Sequence, residues 1–175
     1  MLATDAPMVI LRIVHIVTGV IWVGSLFVVV VFVQPSAATL GAAGAPFMSE
    51  LRRRRFVDVV FIDALFTVVA GSFLYWHDWH TYPGFGDWIG SSFGTALTVG
   101  ALLAISGLGL AGLITRPTIG RLVSLGKQVA GSGGTPTPET AARIGAMQHR
   151  LVIAERVSFS LVLLAVVAMS SARYL

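Results

Sequence analysis

An all-α bundle of four membrane-spanning helices, a single domain over residues 1–175, is the fold this sequence predicts. Three observations lead there. The chain is 55% apolar and only 11% charged, whereas soluble domains run near 45–50% and about 25%. Its mean hydropathy is +0.84. Four stretches, at about residues 8–33, 56–76, 93–115 and 151–172, reach the roughly 20 apolar residues that a helix needs to cross the hydrocarbon core. Lipid offers no partners to backbone polar groups, so these spans are helices rather than strands.

The first span, Met8–Val33, is too long for the apolar region of a signal peptide and has neither a basic leader nor a small-residue cleavage site. The loop after it carries Arg52, Arg53, Arg54 and Arg55. The second span, Phe56–Trp76, leads into an acidic and aromatic loop with Asp78, Trp79, Tyr82, Asp87 and Trp88, a composition suited to a membrane interface. The third span, Phe93–Thr115, places Gly100, Ala104, Gly107 and Ala111 in a narrow arc, a surface suited to close helix packing. A flexible segment, Gly131–Pro138, precedes the fourth span, Leu151–Ala172. That helix is expected to begin earlier, with Thr137 as its cap and Pro138 in its first turn. No internal repeat is evident, and the four spans leave no room for a soluble domain.

Charge gives the expected orientation. Ten of the twelve Lys and Arg residues fall in or beside the first and third loops, leaving Arg12 and Arg173 on the other side. The positive-inside rule then puts both termini on the outer, periplasmic side of a bacterial inner membrane, with the chain a multi-pass protein in the lipid bilayer. The same placement accounts for a pI near 10.3 without a nucleic-acid partner. With no cysteine, the chain has no disulfide scaffold, thiolate metal site or covalently attached c-type haem.

Ionisable residues inside a span are costly and mark candidate sites. His15 is the first. At about 100° per residue, Arg12, His15, Gly19, Trp22 and Leu26 share roughly an 80° arc of one helix face. Gly19, one turn after the histidine, would leave space for a flat macrocycle, and neutral imidazole is a good axial ligand for haem iron. His77 ends the second span, His80 follows it, and Met169 ends the fourth, all on the expected outer side. Two of these groups could ligate a b-type haem. Three, with His15, His77 and Met169 as the metal set, could hold copper. Packing and interfacial exposure are the plainer readings, and His80 fits exposure best. Asp58, Asp63, Glu155 and Arg156 lie in the inner halves of the second and fourth spans. If those helices are neighbours, Asp63 and Arg156 can form an ion pair that registers them or serves a proton or quinone site.

The string Arg12-Ile-Val-His15-Ile-Val-Thr-Gly19-Val-Ile-Trp22-Val-Gly24-Ser-Leu-Phe27 resembles the first-helix pattern R-x-x-H-x-x-x-G-x-x-W-x-G-x-x-F of the membrane domain of cytochrome-c-type urate oxidases. It is more loosely similar to copper-resistance protein D, and a membrane-bound protoporphyrinogen oxidase family has a similar first helix. Leu113–Pro117 with Arg121 resembles the urate-oxidase-type proline segment, and Arg150–Ser171 its last helix. The resemblance implies haem b bound by His15, with Trp22 and Gly24 shaping its helix. Urate oxidation is not carried over, because there is no Cys-x-x-Cys-His haem c module. Phe93–Thr98 lacks the basic residue that the protoporphyrinogen oxidase type expects, and the copper-resistance type is richer in outer methionine and histidine.

The expectation is therefore a haem b electron-transfer protein, a redox membrane subunit working near the outer face. His15 ligates with His77 or Met169, and Arg12 pairs with a propionate. The expected partners are a quinone or redox protein, in a homodimer or a membrane complex. The alternatives are a copper transport or resistance protein, a protoporphyrinogen-oxidase-like enzyme, and a structural subunit.

Overall fold

The computed structural model describes residues 6–175. Among them there is no strand, and four helices are long and apolar enough to cross a membrane. These are α1 (Ala6–Thr39), α3 (Phe56–Trp79), α5 (Ser92–Gly131) and α6 (Pro138–Tyr174, its last turn a 3-10 helix). Two shorter helices lie in the loops, α2 (Gly44–Arg53) and α4 (Phe85–Gly90). The chain runs up and down, so one end of the bundle gathers Arg52–Arg55, Arg121 and Lys127. The other gathers His77, Trp79, Tyr82 and Trp88. They are called here the basic end and the aromatic end.

Two broad seams hold the bundle, α1 against α3 and α5 against α6, with narrower contacts of α3 with α5 and α1 with α6. Helices α3 and α6 thus lie on a diagonal. Trp22, 2% exposed, fills the centre with Ala64 of α3 and Val162 of α6, flanked by Ala104 and Leu108 of α5. Elsewhere the seams close on small residues. A Cβ at Gly107 would sit 2.8 Å from Val162 Cγ2, and one at Gly100 would sit 2.7 Å from Met169 Cγ. The glycine stripe of the third span is therefore filled by α6. A Gly107→Leu substitution should cost about 1–3 kcal/mol, read as a lower unfolding midpoint in detergent. An unchanged midpoint would mean that this seam is looser than described.

The helices run past the expected span ends, and the prolines explain how. Proline has no N–H and its ring clashes with the preceding turn, so in a regular α-helix Pro35 and Pro117 would break or kink the chain. Each is instead preceded by a π-helical turn, Val29–Val33 in α1 and Ala111–Thr115 in α5. The N–H of Gln34 reaches Val29 O, and that of Arg116 reaches Ala111 O, five residues back. The next bond in that register would need a proline N–H, so the carbonyls of Val30 and Gly112 go without that donor. The widened turn takes up the proline and the helix continues.

The same device therefore occurs twice, in two helices that run the same way, although the residue identities show no repeat. Each polar residue before the proline reaches across a narrow seam to a carboxylate. Gln34 Nε2 donates to Glu155 Oε2 of α6. Arg116 Nη2 pairs with Asp58 Oδ1 of α3 at 2.6 Å, its guanidinium 4.4 Å from the Phe61 ring centre. The expected Asp63–Arg156 pair does not form among the described residues. Its helices are diagonal rather than adjacent, so equal depth does not bring the two charges together.

At the aromatic end Trp88 is fully buried rather than laid on the interface. Its indole N–H donates to Tyr75 Oη at 2.8 Å, and its ring meets Tyr75, Tyr82 and Phe93 edge to face. Ser91 caps α5 by accepting from the Gly94 N–H at 3.0 Å. Thr137 caps α6, as expected, by accepting from the Thr140 N–H at 3.2 Å.

At the basic end Glu50 binds Arg53 at 2.7 Å and Arg54 at 2.8 Å within and just after α2. Hydrogen bonds from Arg53 and then Arg54 hold the Glu50 carboxyl below its ordinary value. A depressed carboxyl stabilises its fold above the unfolded pKa, and that contribution is lost as pH falls through the folded value. Acidification below the usual carboxylate range should therefore loosen α2, raising proteolysis between α2 and α3. A Glu50→Gln variant should lose that pH dependence. Equal pH dependence in both proteins would assign the effect elsewhere.

Candidate functional site

Four of the five residues expected to share one helix face lead from the aromatic end into the bundle centre. Arg12 is exposed in a groove of about 410 Å³ between α1 and α3, lined also by Met8, Ile16, Leu74, His77 and Asp78. His15 is half-buried one turn deeper, Gly19 lies against α3, and Trp22 reaches the core.

His15 Nδ1 lies 2.8 Å from the backbone carbonyl of Thr67. A carbonyl only accepts, so Nδ1 carries the proton and donates. In the neutral ring Nε2 then keeps a lone pair. This is the support that metal-binding histidines commonly have, with one ring nitrogen fixed by a carbonyl and the other left as the donor atom. Gly71 makes the contact sterically feasible. A Cβ there would lie 2.7 Å from His15 Cε1 and 2.8 Å from Nδ1. The sequence reading missed Thr67 and Gly71. Their signal was a four-residue spacing on α3 that matches His15 and Gly19 on α1.

The hydroxyls of Thr18 and Thr67 lie 2.8 Å apart across the same seam. With one proton each, one hydroxyl donates to the other, and the accepting one donates to its own helix carbonyl, Asp63 O for Thr67 or Val14 O for Thr18. The result is a short polar chain, His15–Thr67–Thr18, inside otherwise apolar helices. Gly19 does not open the expected slot for a macrocycle. A Cβ there would stand 3.4 Å from Thr67 Cγ2, so the threonine already occupies that side. The open volume lies one turn outward, between Arg12 and His77.

The remaining candidates are spread over the aromatic end. His77 shares the groove with Arg12. His80 donates from Nδ1 to Trp76 O at 2.7 Å, meets the Trp76 and Trp79 rings at a tilt and is exposed, as expected. Met169 packs on Gly100 in the α5–α6 seam, opposite the seam that holds His15. Among the described residues no three histidine, aspartate or glutamate side chains come together as a metal-holding group.

No protein-family model matches this sequence, and no match was found among curated proteins or solved structures.

Proposed function

We propose that this chain is a redox subunit of the bacterial inner membrane that holds a b-type haem near its outer face, with His15 as an iron ligand. The observation that carries the reading is the His15–Thr67 hydrogen bond, which leaves Nε2 as a lone-pair donor on a ring held by two helices. The donor set suits the group, since imidazole is a preferred axial ligand of haem iron. Bound there, a haem would supply one-electron transfer between its ferric and ferrous states.

The chain's own residues do the rest. Thr67 and Gly71 set the orientation of the imidazole. Arg12 offers a guanidinium at the mouth of the groove, suited to a propionate carboxylate. His77, on the same groove, is the candidate second ligand, ahead of Met169 on the opposite seam. The exposed apolar faces of α1 and α3 turn to lipid or to a second subunit.

The rival reading makes His15 a helix tether only, and the Gly71 notch favours it as a packing device. An absorption spectrum of the detergent-purified protein, oxidised and dithionite-reduced, with a pyridine haemochrome assay, separates the two. A Soret band with sharp reduced α and β bands is expected. A colourless protein, made with haem available, would leave the tether reading standing and the redox reading without support.

A further inference from the structure

A second groove, of about 300 Å³, lies between α5 and α6 toward the basic end. Its walls are Leu110 and Ile114 of α5 and Ile153 and Val157 of α6, and His149 and Arg150 stand at its mouth. The apolar run of α6 begins at Leu151, so His149 and Arg150 mark the boundary between polar and apolar chain. Val157 lies about 10 Å deeper along the helix axis. The groove thus offers cations at headgroup depth and an apolar trough beneath them.

Arg150 is in no salt bridge with another described residue. Among the described residues, the salt bridges join Glu50 to Arg53 and Arg54, and Asp58 to Arg116. The nearest carboxylate in sequence, Glu155, accepts from Gln34 on the α1 side of α6. An exposed arginine beside histidine, next to an apolar trough, suits an anion attached to a hydrocarbon chain. Basic pockets between transmembrane helices bind such headgroups.

We infer that this groove is a binding site for an anionic phospholipid, its phosphate held by Arg150 and His149 and one acyl chain lying along Leu110, Ile114, Ile153 and Val157. A zwitterionic lipid with the same chains would fill the trough but gain less at the mouth. Free inorganic phosphate would gain nothing from the trough.

The test is native mass spectrometry of the delipidated full chain, titrated with phosphatidylglycerol, with phosphatidylcholine of the same chains, and with inorganic phosphate. Phosphatidylglycerol should bind about five-fold more tightly than phosphatidylcholine, the preference one surface arginine supplies. Phosphate alone should not bind. Arg150→Gln should erase the preference, while Arg52→Gln, which removes the same charge from a different loop, should keep it. Ala146→Trp, at an exposed position on the groove lining, should block both lipids in a protein that remains folded. Equal binding of the two lipids by the unaltered chain, or a preference that survives Arg150→Gln, would overturn the site, as would phosphate binding alone.

Discussion

If His15 ligates a haem as proposed, a His15→Ala variant should purify with at least about ten-fold less haem than the unaltered chain, since it would remove the ligand atom itself. The supporting contacts predict a graded series around it. Gly71→Ala places a methyl where the imidazole now lies, 2.7 Å from Cε1. The ring must turn, which breaks the Nδ1–Thr67 bond, and losses of supporting contacts to a metal ligand typically cost 10–100-fold in affinity. Met169→Leu keeps the packing on Gly100 and should leave the spectrum unchanged if His77 is the second ligand. Each variant is compared by haemochrome content per folded protein, with size-exclusion behaviour as the control for folding. Full haem content in His15→Ala would remove His15 from the site. Haem loss in Met169→Leu, with His77→Ala unaffected, would exchange the second ligand.

Trp22→Ala should be the most destabilising single change, at about 3–5 kcal/mol. The indole is 2% exposed and meets three other helices through Ala64, Val162, Ala104 and Leu108. Alanines and glycines dominate the surrounding seams, so few side chains can move inward to fill the cavity. Trp22→Phe should cost clearly less, because most of the ring volume remains. Unfolding midpoints in one detergent, measured for both variants, check the ranking. A Trp22→Ala protein as stable as the parent would mean that the four helices do not meet at this ring.

The four helices were legible because each apolar run is long and carries few charges, and membrane length is a one-dimensional property. The Thr137 cap was legible for a similar reason, since capping is local. The order of helices around the bundle is not local. Asp63 and Arg156 share a depth, yet α3 and α6 are diagonal, and only packing decides that. Trp88 reads as an interfacial tryptophan because it lies in an acidic and aromatic loop, whereas its neighbours in space are Tyr75, Tyr82 and Phe93. His15 was visible as a histidine in a span. Its partner is a backbone carbonyl of another helix, and a carbonyl has no residue-type signature. The proposal of haem rests on residue chemistry, and the fold adds the contacts of Thr67 and Gly71 with the imidazole.

The paired π turns have a consequence for insertions and deletions. A π turn is a helix carrying one residue more than its α-helical phase allows. Deleting a single residue from Val29–Val33, or from Ala111–Thr115, would return that turn to α-helix and leave the chain beyond it close to its present phase, whereas adding one more would rotate everything beyond it by about 100°. Gln34 would swing away from Glu155, and Arg116 from Asp58, with no side chain altered in either pair. In these two five-residue windows the number of residues matters more than their identity. Conservative substitutions there should be tolerated where single-residue insertions are not.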